Sequence, residues 1–212
     1  MPKNIAVLVS GGGTNLQALI DAQSRGELGG GRISAVLSSR KGVYALERAA
    51  KAGIPGYVLA PGDYPSDRDM TLALADKLDA LNIDLVVLAG FLSVLTGELF
   101  ERYPNRVINI HPSLIPAFCG RGCYGLRVHE KALKYGVKLS GATVHFVTEE
   151  CDGGPIIAQK AVEVLPDDTP EALQRRIMEQ CEWTLLPQAV RLFCQERLKV
   201  EGRTVRILDH AD

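Results

Sequence analysis

The chain has 212 residues, 46% of them hydrophobic and 23% charged, with 24 Lys and Arg against 25 Asp and Glu for a formal net charge of −1. This is the balance of an ordinary globular protein, and it gives bulk electrostatics no means of recruiting nucleic acid or a membrane surface. The longest nearly apolar stretch, Leu85 to Leu92, is far too short to span a bilayer, and the run after Lys3 is too short for a signal-peptide core, so a cytoplasmic setting is expected.

Strand-like apolar runs alternate with helical patterns along the chain. Ile5–Val9, Ile33–Leu37, Tyr57–Leu59, Leu85–Ala89 and Val107–Ile110 read as strands, and segments near Thr14–Arg25, Tyr44–Ala52 and Asp67–Leu81 as helices. A β-α-β-α order implies right-handed crossovers and a mostly parallel sheet, and continuous runs such as Leu85-Val-Val-Leu88 suit strands covered on both faces. From Leu139 the pattern changes. Ser140–Thr148 and Pro155–Val164 read as two longer strands joined by a Glu- and Gly-rich turn, an antiparallel or edge pair. A long helix is expected after Thr169 as N-cap and Pro170 at the first helical position, ended or kinked at Pro187. The fold class is thus α/β: a Rossmann-like, mostly parallel twisted sheet with helices on both faces and an antiparallel C-terminal strand pair. No repeat or linker marks a boundary, so one domain over 1–212 is expected.

Five cysteines, Cys119, Cys123, Cys151, Cys181 and Cys194, are dispersed and odd in number, which argues for reduced thiols rather than a disulfide framework. Cys119, Cys123 and His129 lack a fourth ligand at structural-site spacing, so no metal is expected.

Three stretches carry chemistry. Ser10-Gly-Gly-Gly-Thr-Asn15 follows the first strand and opens the first helix, where backbone N–H groups and the helix dipole favour an anion such as phosphate, with Thr14 and Asn15 able to cap the helix. Leu16 stands where a dinucleotide fingerprint has its third glycine, and no ribose-binding acid follows the second strand, although Arg40 leaves a 2′-phosphate reading open. In Val107-Ile-Asn-Ile-His-Pro112, Asn109 and His111 sit two apart on an extended strand and share a face, a pairing suited to a carbonyl oxygen that gains negative charge. Asp152, in Cys151-Asp-Gly-Gly-Pro155, would raise the imidazole pKa if it met His111. Thr143 and His145 share a strand face in a supporting position, and Glu182 falls among the apolar residues of the last helix, where a cation or amine would offset its burial.

Asn109-Ile-His111-Pro-Ser-Leu-Ile-Pro116, followed by Asp152-Gly-Gly-Pro155, resembles the folate-dependent formyltransferases, and with Ser10-Gly-Gly-Gly-Thr-Asn15 the stretch from about residue 4 to 195 is similar to their phosphoribosylglycinamide branch. The resemblance implies transfer of a formyl group from 10-formyltetrahydrofolate to the amine of glycinamide ribonucleotide in purine biosynthesis. It implies Asn109, His111 and Asp152 as catalytic residues; Gly12, Gly13, Thr14 and Asn15 on the substrate phosphate; and Glu182 on the glycinamide. It further implies Phe91, Leu92, Ser93, Val94, Leu95, Asn109, Glu150 and Asp152 around the folate. The phosphate-binding part would be about 1–105 and the folate and catalytic part about 106–212, in a monomer or weak homodimer. The chain departs from the family at Ser93, where many members carry a basic residue, at Trp183, where His is common, and in the longer loop Phe118–Gly125. Three alternatives use parts of the same pattern: transfer to initiator methionyl-tRNA, expected to need a further C-terminal domain; hydrolysis of formyl-folate, expected to carry an extra N-terminal domain; and a silent nucleotide-binding module, which leaves Asn109, His111 and Asp152 unexplained.

Overall fold

The computed structural model describes residues 2–209. Nine strands form one sheet in the order β3-β2-β1-β4-β5-β6-β7-β9-β8. The first half supplies β1 (Lys3–Val9), β2 (Gly31–Ser38), β3 (Gly56–Val58), β4 (Leu85–Leu88) and β5 (Val107–His111), all paired in parallel. Next, β6 (Leu139–Phe146) runs antiparallel to β5, and β7 (Ile156–Glu163) antiparallel to β6. A short hairpin, β8 (Leu198–Glu201) and β9 (Thr204–Ile207), extends the sheet beyond β7.

The alternation of side chains along β1 explains why the sheet needs two helical layers. Ile5, Val7 and Val9 belong to a core completed by Leu16 and Leu19 of α1 (Thr14–Ser24), Ala45 and Ala49 of α2 (Tyr44–Lys51), Ala132 of α5 (Leu126–Tyr135), Leu173 of α6 (Pro170–Ile177) and Leu186 of α7 (Trp183–Cys194). Ala6 and Leu8 face the opposite core, with Leu74 and Leu78 of α3 (Asp67–Ala80) and Leu99 of α4 (Gly97–Arg102). Each crossover helix covers a sheet that is apolar on both sides.

The expected parallel half and the antiparallel pair β6–β7 are present, as is the Thr169 cap, whose side chain accepts from the Ala172 N–H. Several elements differ from expectation. Helix α4 has six residues, too few to show a 3.6-residue period, and α5 lies between Gly125 and Gly136 in a stretch whose glycines mask its helical pattern. The strands of the β8–β9 hairpin have four residues each and alternate half-buried with exposed positions over most of their length. The last long helix is not ended at Pro187, which is buried inside α7. The irregularity lies just upstream, in a widened π turn at Met178–Glu182. A wider turn absorbs the donor that proline lacks and the clash of its ring with the preceding turn.

Candidate active site

Parallel strand order reverses between β1 and β4, and the carboxyl ends of β1, β4 and β5 open there into a cavity of about 840 Å³. One end is the glycine loop. Gly13 takes φ 72°, and a Cβ there would lie 2.7 Å from the Ala45 Cβ, so only glycine fits. Gly13 is the N-cap of α1, and no side chain caps the helix. Thr14 and Asn15 do not act as caps, and the first-turn N–H groups open on the cavity. Arg48 braces this loop from behind, its Nε donating to the Gly12 carbonyl at 2.9 Å.

Asn109, His111 and Asp152 meet at the end of β5. Antiparallel register sets Asn109 opposite His145 and His111 opposite Thr143. The Asp152 carboxylate lies 3.6 Å from His111 Nδ1 through Oδ2 and 3.7 Å from His145 Nε2 through Oδ1, while the Gly120 N–H donates to Oδ2 at 2.8 Å. Asp152 holds φ 54° in its turn, a conformation short polar residues tolerate. His145 Nδ1 bonds the Phe146 carbonyl at 2.8 Å, which leaves Nε2 to accept from Asn109 Nδ2 at 3.2 Å and fixes which end of the amide points where. One N–H of Asn109 stays free.

Burial pushes the His111 imidazole below the ordinary histidine range, and the upward pull of Asp152, in the expected sense, does not overcome it. Burial would raise the Asp152 carboxyl, but His145, His111 and the Gly120 N–H together keep it below its usual value. His111 Nε2 also bonds the Phe118 carbonyl at 3.0 Å, so the loop beyond Pro116 holds one ring nitrogen.

At the glycine-loop end Glu182 is 5% exposed and accepts from Asn15 Nδ2 at 2.7 Å. Burial raises its carboxyl, with the Asn15 bond opposing. Asn15 Oδ1 is buried without a partner. A carboxylate and an unpaired amide oxygen side by side suit a ligand with several N–H groups.

A formyl transferase model matches residues 3–190 of the chain. The chain belongs to the formyl transferase family. It is 39% identical over 199 residues to the phosphoribosylglycinamide formyltransferase of Haemophilus influenzae, covering 94% of this chain and 91% of that one. It is 40% identical over 198 residues to the chloroplastic phosphoribosylglycinamide formyltransferase of Arabidopsis thaliana, covering 93% of this chain and 67% of that protein. The crystal structure of glycinamide ribonucleotide transformylase 1 from Symbiobacterium toebii superposes with a TM-score of 0.93 at 48% identity, covering 98% of this chain and 95% of that one.

In this formyl transferase family member, Phe91–Leu95 line the cavity as the resemblance implies, with Ser93 among them, and Leu92 and Val94 are exposed at its wall. Glu150 does not line it. Its carboxylate lies 3.9 Å from Arg203, an exposed pair, and the neighbouring Glu149 lines the cavity instead. Thr143 does not reach the cavity either. Its hydroxyl donates to the Ser113 carbonyl and accepts from the Ile115 N–H and from Gln159, which fixes the turn after His111. Among the described residues no set of three His, Cys, Asp or Glu is gathered as a metal site, Cys119, Cys123 and His129 included.

Residue-by-residue reading missed several members of the site. Ser10 accepts from the Leu92 N–H at 2.9 Å and lies 2.6 Å from Ser39 Oγ, tying the glycine loop to the Phe91–Leu95 wall; a serine ending a buried strand was the available signal. His129 is fully buried at the cavity with neither ring nitrogen partnered, and its period with Val128 and Ala132 on α5 could have revealed it. Arg121 also lines the cavity, from the loop that bonds Asp152.

Proposed function

We propose that the chain transfers a formyl group from 10-formyltetrahydrofolate to the amine of glycinamide ribonucleotide. The observation that carries this reading is one carboxylate, Asp152, between His111 and His145, beside an amide, Asn109, whose donor end His145 orients. The phosphate rests on the open N–H groups at Gly12, Gly13, Thr14 and Asn15. Asn15 and Glu182 hold the glycinamide. The apolar wall Phe91–Leu95 takes the folate ring system.

The amine attacks the formyl carbon, and a bond to nitrogen forms as the carbonyl π pair moves onto oxygen. Asn109 donates its free N–H to that oxygen, and His111 gives the second hydrogen bond once Phe118 releases it. A neutral imidazole donates through its ring N–H, so His111 stabilises that oxygen without being charged. Asp152, ionised because its pKa is held down, takes the proton from the attacking amine through water and passes it toward the N10 nitrogen as the carbon–N10 bond breaks. Tetrahydrofolate and the formylated ribonucleotide leave.

The test is direct: purified protein is given 10-formyltetrahydrofolate with and without glycinamide ribonucleotide. Tetrahydrofolate should form only with both present. Release without the ribonucleotide would identify a hydrolase, and no release in either mixture would remove the transferase reading.

A further inference from the structure

Two anions enter this cavity under the proposed reaction, the ribonucleotide phosphate and the glutamate carboxylates of the folate. They meet very different surroundings. The phosphate end has unsatisfied backbone N–H groups and Arg48 behind them. Beyond that end the acidic side chains of the lining are Asp67, Glu149 and Asp152, and among the described residues Arg121 is the one Arg or Lys on the cavity wall. Arg68, beside Asp67, is drawn off by Glu98 at 2.5 Å, one of the shortest ion pairs in the molecule.

We infer that Arg121 recognises the glutamate carboxylate of the formyl-folate and sets the cavity's preference for a glutamylated donor. Arg121 is exposed, between Gly120 and Gly122, which both take positive φ, so the backbone turns sharply on either side of it. Its position is fixed by the reacting centre, because the preceding Gly120 N–H donates to Asp152. That bond sets Arg121 beside the Cys151–Asp152 turn, whose two residues line the same cavity. With the folate rings on Phe91–Leu95 and its N10 at Asp152, the aminobenzoyl-glutamate leaves toward the rim. A dicarboxylate passing Asp67 and Glu149 meets repulsion there, and Arg121 supplies the compensating charge.

The inference rests on the formyl-folate reading, so the wild-type assay with both substrates comes first. If it makes no tetrahydrofolate, that reading fails. If it does, KM is measured for the natural donor and for 10-formyltetrahydropteroate, which lacks the glutamate, in wild type and in Arg121→Gln. We expect loss of the glutamate to raise the wild-type KM about 2- to 5-fold, the scale of one exposed charge pair. In Arg121→Gln the two donors should have nearly equal KM, and the KM for glycinamide ribonucleotide should be unmoved. Rising salt should weaken the natural donor in wild type and not in the variant. An equal penalty for glutamate removal in both proteins, no penalty in wild type, or a raised KM for the ribonucleotide would each overturn the assignment.

Discussion

At the scale of single residues, the site combines one group with a free donor and two that are held in a costly state. Asn109 has an N–H free for a developing oxyanion. Asn109→Ala should lower kcat by about 10²–10³-fold, the usual loss for one oxyanion donor, with the fold retained by circular dichroism; a loss of tenfold or less would remove Asn109 from the chemistry. Glu182 is buried with a raised pKa, so the fold favours its protonated form and ionisation above about pH 4.5 works against stability. Glu182→Gln should therefore leave urea resistance equal or higher at pH 7.5, lose that advantage near pH 4, and raise the KM for glycinamide ribonucleotide. His129 has the opposite sense. Burial takes its pKa from 6.5 to about 4, so the fold prefers the neutral ring. Its contribution is complete above pH 6.5 and is lost as pH falls to about 4, on the order of 3 kcal/mol. The difference in urea midpoint between pH 7 and pH 4 should shrink in His129→Leu, and an unchanged difference would show that the ring is solvated.

Elements determine how much of this could be read in advance. Asn109 and His111 were legible because strand geometry puts residues two apart on one face, and the Gly-rich turn announced Asp152. The link between them was not, because Asp152 reaches His111 only through the pairing of β5 with β6, a long-range fact with no local signature. Resemblance supplied that link before any distance was known. Thr143 was assigned to the site by strand face and Glu150 by the resemblance, and both point elsewhere, one into the turn after His111 and one toward Arg203. The glycine loop was readable by composition, but its cap was not: Asn15 bonds Glu182, 167 residues away, instead of its own helix. Gly13→Ala tests the loop as an element. A side chain at φ 72° costs about 1–2 kcal/mol before the contact with Ala45 is counted. The variant should melt lower and should bind inorganic phosphate more weakly in calorimetry.

Across the whole molecule, the site falls where α/β sheets collect ligands, at the reversal between β1 and β4. The far edge behaves as a separate region. The β8–β9 hairpin meets β7 through a single paired position, Ile156 with Thr204, whereas β1 is paired along its length on both sides. Native-state hydrogen exchange should find the amides of β1, β4 and β5 opening only with global unfolding and those of β8 and β9 far earlier. Equal protection of the hairpin and the central strands would mean that its packing against the body outweighs its sparse pairing.

The widened turn at Met178–Glu182 amounts to one surplus residue in the path from α6 to α7. A π turn takes up that residue without rotating the helices on either side, because its five residues advance through about the angle that four cover in an α-helix. The apolar stripe carrying Leu173 and Ile177 and the stripe carrying Leu186 and Val190 therefore stay in phase on the sheet they both cover. Shortening the chain there by a single codon should close the bulge that brings Glu182 to Asn15 while leaving the layer beneath it seated.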